Sequence, residues 1–149
     1  MTKVNLVSVF IMVLMTSMVF TTNAQNLKKE KVVKEGTSTL AEKVMNKLDL
    51  KFKPIKHNRY KVKIAGHDLK LIINNSNFVL LIYLEKKASL NRINDFNAHH
   101  SWVRAYLGSS DHPALVSELS FEGGITIQRV HVFFNTYESL LKKFVKQMK

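Results

Sequence analysis

Apolar and polar positions change rhythm several times along the chain. Leu40, Val44 and Leu48 recur every fourth residue, opposite Lys43 and Lys47, which is one face of an amphipathic helix ending near Leu50. Thr39-Leu40-Ala41-Glu42 fits a capping box, where a hydroxyl and a carboxylate satisfy amide donors at a helix start. Pro54 falls in the connection that follows. From Arg59 to Ala65 the period drops to two: Tyr60, Val62 and Ile64 face one way, Lys61 and Lys63 the other. This predicts a strand with one wet face. After a turn at Ala65-Gly66-His67, Leu69, Leu71 and Ile73 carry the alternation into a second strand. Asn74-Asn75-Ser76-Asn77 is a turn cluster, because Asn tolerates positive φ and bonds its own backbone. Phe78 to Leu84 is apolar at all seven positions, so both faces of that strand need cover from helices, a partner chain or a ligand.

Leu90, Ile93 and Phe96 at helical spacing predict a short helix over Ser89 to Asn97. Trp102 to Leu107 reads as a fourth strand, Gly108 to Pro113 as a hairpin-type connection, and Ala114 to Ser120 as a fifth strand. Gly123-Gly124 then interrupts the chain before Thr126, which caps a long last helix. That helix carries Val130, Phe133, Phe134, Tyr137, Leu140, Leu141, Phe144 and Met148 on a broad apolar face. Lys142, Lys143, Lys146 and Lys149 lie at its end, where cations meet the negative pole of the helix dipole. The order is α-β-β-β-α-β-β-α: an α+β domain of two layers, with a mostly antiparallel five-stranded sheet.

The start of the chain follows other rules. One early cation, Lys3, precedes an apolar run of 17 residues from Val4 to Phe20, then Thr22 and Ala24 sit three residues and one residue before Gln25. This is the layout of a cleavable secretory signal peptide over residues 1–24. The run lies at the lower limit for spanning about 30 Å of hydrocarbon, so a retained membrane anchor is the competing reading. Residues 25–36 form a charged lead-in, and residues 37–149 the α+β domain. Localisation is then secreted or periplasmic.

Composition narrows the function. The 149 residues contain no cysteine, which excludes disulfides, thiolate metal sites and cysteine nucleophiles. The net charge of +12 comes mostly from lysine. Residues 28–63 hold twelve basic and four acidic side chains, a local net of +8. With 19 lysines against four arginines, bidentate phosphate recognition is poorly served. Nucleic acid is not the expected partner, and an anionic envelope surface is the better match for this charge.

The run INDFN, WVRAYLGSSDHPALVSEL and FEGGIT, carried by Asn94, Asn97, Arg104 to Leu107, Asp111, Leu115 to Leu119 and Glu122 to Thr126, resembles the YbjN family, described in general terms as bacterial sensory transduction regulators. The resemblance implies a fold similar to type III secretion chaperones, a non-enzymatic regulatory role and a homodimer. It departs at Gln128 and Arg129, where a Glu-Asn pair is common in the family. A cation in a first helical turn meets the positive end of the dipole, so nothing electrostatic recommends Arg129 there.

Candidate chemistry is thin. His99-His100 point about 100° apart on a helix and form no i, i+4 metal clamp. Asp111-His112 lies in a turn, with no nucleophile elbow. Glu122-Gly123-Gly124 lacks the spacing and the lysine of a phosphate loop, and the glycines are read as positions needing positive φ or close backbone approach. No catalytic, cofactor or metal residues are expected. The candidate partner surface is Phe78, Leu80 and Ile82 on the doubly apolar strand, with Trp102, Arg104 and Tyr106 as an aromatic-Arg-aromatic face. The expected function is a secreted, non-catalytic module that binds protein or peptide. The alternative is a cationic binder of anionic lipid or polymer at the envelope, with weak membrane-surface association.

Overall fold

A computed structural model describes residues 31–149. The expected leader and the first residues of the lead-in lie outside the described residues. In chain order the elements are β1 (Val32–Val33), α1 (Ser38–Lys47), β2 (Lys51–Lys56), β3 (Arg59–Ile64), β4 (His67–Ile73), β5 (Asn77–Tyr83), α2 (Leu90–His99), β6 (Arg104–Leu107), β7 (Pro113–Ser120), β8 (Ile125–Thr126) and α3 (Ile127–Gln147). The main sheet runs β2-β3-β4-β5-β7-β6, with every neighbouring pair antiparallel.

The sheet therefore has six strands, not five. The extra one is β2, whose proline the sequence pattern assigned to a connection. Pro54 is tolerated because β2 is an edge strand, and its register on β3 shifts between Pro54 and Lys56. Lys-Phe-Lys alternation over Lys51 to Lys53 was the available signal. The charged lead-in also contributes a strand: β1 pairs with β8 in a two-stranded ribbon, Val32 against Thr126 and Val33 against Ile125. The ribbon and the chain leading from it to α1 each need a glycine. A Cβ on Gly36 would lie 2.8 Å from the Asn74 carbonyl oxygen, and one on Gly124, whose φ is +81°, would lie 2.7 Å from Val32 Cγ1.

One face of the sheet carries the core. Tyr60, Val62, Leu69, Leu71, Phe78, Leu80, Ile82, Leu115 and Leu119 meet Ala41, Val44 and Met45 of α1, Ile93 and Phe96 of α2, and the apolar stripe of α3 in a single cluster. Each fully buried large side chain contributes about 1.5–3 kcal/mol. Aromatic edges lock it, with Phe78 against Phe121 at 4.8 Å and Phe96 against Phe144 at 5.1 Å between ring centroids. Tyr137 extends its hydroxyl from α3 to the Leu115 carbonyl at 3.0 Å, so the deepest polar group in the core is paired.

The helix starts show where local chemistry and register diverge. α1 is capped by Thr37, whose hydroxyl accepts from the Leu40 amide at 3.2 Å. The Thr39 capping box is not used, because the helix begins one residue before Thr39. Thr126 caps α3 as expected, accepting from the Arg129 amide at 3.2 Å. The Asn74 carboxamide accepts from the amides of Ser76 and Asn77, closing the β4–β5 turn in the way the Asn cluster suggests. No described helix is long and apolar enough to cross a membrane.

Candidate interaction surface

Because all three described helices pack on one side, the other face of the sheet is left to the alternate residues of each strand. The pattern changes sharply across it. One transverse row runs Lys53–Lys61–Lys70–Leu81–Val116–Arg104, each residue directly opposite the next. A second runs Lys56–Arg59–Ile72–Val79–Glu118. Strands β2 and β3, with Lys70 of β4, thus supply a cationic half, and Ile72, Val79, Leu81 and Val116 an apolar strip that is only partly covered.

The cationic half is crowded. Lys51 faces Lys63, Lys53 faces Lys61, and Lys61 faces Lys70, three like-charge cross-strand pairs of a kind that disfavours pairing. Among the described residues that line this part of the face, Asp68 is the one carboxylate. Asp68 is 2.6 Å from Lys61, and that bond, helped by the fields of Lys61, Lys63 and Lys53, holds its carboxyl below the ordinary value. Lys51, Lys53, Lys61, Lys63 and Asp68 line a shallow hollow of about 260 Å³.

The apolar half ends in aromatics. The Tyr83 and Tyr106 hydroxyls lie 3.0 Å apart with their rings edge to face at 6.2 Å. Burial first, and then the bond to Tyr83, push the Tyr106 phenol up to about 12. Past them, Trp102, Arg104, Val116 and Glu118 border a second hollow of about 290 Å³. Asn77 bonds Glu118 through its side-chain amide.

The expected partner surface is therefore redistributed. Phe78, Leu80 and Ile82 are core residues, 0%, 0% and 4% exposed. The period of two on β5 puts Val79, Leu81 and Tyr83 outward instead. Both faces of β5 were expected to be covered; among the described residues the helices cover one. Arg104 and Tyr106 do lie on the open face. Trp102 precedes the strand, half-exposed, with the Arg129 guanidinium 4.8 Å above its ring. That stacking explains a cation the helix dipole does not favour.

The other candidates are structural. His99 donates from Nδ1 to the Asp95 carbonyl at 2.8 Å. His100 packs on Phe96 at 4.5 Å, and its burial lowers its pKa. His112 donates to the Leu84 carbonyl, tying the β6–β7 turn to the end of β5. Ser110 and Asp111 in that turn have φ of 60° and 61°, a conformation Asp tolerates better than most residues. Among the described residues no group of His, Asp and Glu side chains is placed to hold a metal.

Among the described residues the architecture is that of a two-layer α+β domain with one sheet face covered by helices and the other uncovered. It overlays the crystal structure of YbjN from E. coli with a TM-score of 0.58 at 16% identity, covering 76% of this chain and 91% of that one. It also overlays the type III secretion chaperone SycH from Yersinia pestis, solved in complex with a stable fragment of YscM2, with a TM-score of 0.55 at 19% identity, covering 74% and 98%. No curated protein matches the sequence. The family model for YbjN, described as a "putative bacterial sensory transduction regulator", matches residues 65–149. The chain belongs to the YbjN family.

Proposed function

We propose that this chain is an exported, non-catalytic regulatory module that binds another protein or a peptide through the open face of its sheet. The observation that carries the reading is the polarity of that face: a half-covered apolar strip beside a lysine field, on a sheet whose opposite side is fully packed. Such a face binds by area and charge. No convergent acid, base and nucleophile stand on it among the described residues. Family membership supports a regulatory role, and the shared fold with a chaperone that holds a protein fragment supports a binding one. The leader-like first 24 residues support export; N-terminal sequencing of the cell-produced protein checks it, with Gln25 as the expected first residue.

Photo-cross-linking separates the binding face from the rest. A cross-linker at Val79 is expected to trap one defined protein, and one at the exposed Asn135 of α3 is not. Equal adducts from both positions reject the reading. A second reading, weak attachment to anionic lipid or polymer at the envelope, draws on the same lysines and on those ending α3. It expects binding to phosphatidylglycerol vesicles that fades steeply with salt; salt-insensitive binding rejects it.

A further inference from the structure

The open face carries more information than its capacity to bind. We infer that its partner is an acidic amphipathic segment of another protein, laid across the strands with apolar side chains on Leu81 and Val116 and carboxylates over Lys53, Lys63 and Lys70. This rests on the protein-binding reading above and adds the chemistry of the partner.

Three observations carry it. The lysine pairs Lys51–Lys63, Lys53–Lys61 and Lys61–Lys70 stand directly opposite one another, an arrangement that works against strand pairing and that an incoming set of carboxylates relieves. Asp68 shows the local answer on a small scale: one carboxylate, bonded to Lys61 at 2.6 Å, sits in the field of three lysines. Among the described residues no other cation of this face makes an ion pair. Finally, the row Lys53–Lys61–Lys70–Leu81–Val116–Arg104 passes from cation to apolar to cation. Six strands at about 4.8 Å spacing make that row about 24 Å long, the length of a helix of about sixteen residues. An acidic–apolar–acidic segment matches it in order and in length.

The competing occupants fit less well. A second copy pairing this face two-fold would bring, among the described residues, only Asp68 and Glu118 to meet its lysines, and both are already bonded within the face. A membrane needs apolar side chains that protrude. Here Val79, Leu81 and Val116 are half-covered and are flanked across the sheet by the longer Glu118, Lys70 and Arg104, a floor suited to receiving side chains.

The test uses the full chain and a synthetic sixteen-residue peptide with glutamates at both ends and leucine and phenylalanine between. A scrambled peptide of identical composition, polyglutamate and phosphatidylglycerol vesicles serve as comparators. Trp102, the single tryptophan at the rim of the face, reports binding by fluorescence, and amide shifts map it. The expected result is binding at least about tenfold tighter than for the scramble, weakened about tenfold both by the pair Lys53→Glu and Lys70→Glu and by Leu81→Ser. Polyglutamate binding equally well with no effect of Leu81→Ser overturns the proposal, as do vesicles outcompeting the peptide, or self-association that Leu81→Ser abolishes. If the peptide fails while cross-linking at Val79 still traps a protein, the acidic chemistry is wrong and the protein-binding reading stands. Circular dichroism on each variant confirms that loss of binding is not loss of fold.

Discussion

Asn97 lays its carboxamide along the outer edge of β6, donating to the Ala105 carbonyl at 2.9 Å and accepting from the Ala105 amide at 2.8 Å. One side chain thus does what a neighbouring strand would do, and seals an edge that is otherwise a template for unwanted pairing. Asn97→Ala is expected to cost about 1–3 kcal/mol in urea unfolding, because it strands both groups. The sequence marked Asn97 through family resemblance, but the role needed the partner residue eight positions on. The tyrosine pair makes a second prediction. Tyr106 is held protonated up to about 12 by burial and by Tyr83. Its contribution to stability is complete below the ordinary phenol value near 10 and is lost as pH rises from there towards about 12. Ultraviolet titration should show late-ionising phenols, because burial also raises Tyr137 and Tyr60, and Tyr83→Phe should bring the Tyr106 component part of the way down. An unchanged titration would mean that burial alone sets the value.

Elements were legible where their periodicity was strong and their environment simple. α3, β3, β4 and the Asn74 turn follow directly from apolar spacing and turn chemistry. The start of α1 did not, because Thr37 and Thr39 both have the chemistry of a cap and only the path of the chain from Gly36 selects between them. Thr37→Ala should cost about 1 kcal/mol, and Thr39→Ala, at an exposed position, should stay within about 0.5 kcal/mol; thermal melts of the two variants check it. β2 was missed because proline normally argues against a strand, and its exception depends on a strand being at the edge, which is a fact about the sheet. β5 was located correctly, but its two faces were not told apart. Val, Leu and Ile suit both a buried and a half-buried face, so composition alone could not say which alternate set the helices would cover.

For the whole molecule, the charge of +12 acquires a location. Part of it is gathered on β2, β3 and β4, on one side of one face, where it opposes itself. Lys53→Glu should therefore stabilise the fold by a few tenths of a kcal/mol while weakening the proposed partner, a separation of stability from binding that chemical denaturation and peptide titration together read out. On the acid side His131, buried on α3, has its pKa lowered by burial and then by Lys47. Its contribution is present above the ordinary histidine value near 6.5 and is lost as pH falls below it, so stability should decline in mild acid, and less so in His131→Gln. The sequence by itself determined the class of fold, the antiparallel hairpins, the amphipathic last helix and the kinship, because these depend on local period, turn chemistry and short motifs. Only the tertiary structure decided which face of the sheet stays open, that β2 joins its edge, that Phe78, Leu80 and Ile82 are core, and that lysines far from Leu81 in sequence stand in one row with it. Those are consequences of register and of which side the helices choose, and neither is written in the spacing of any single element.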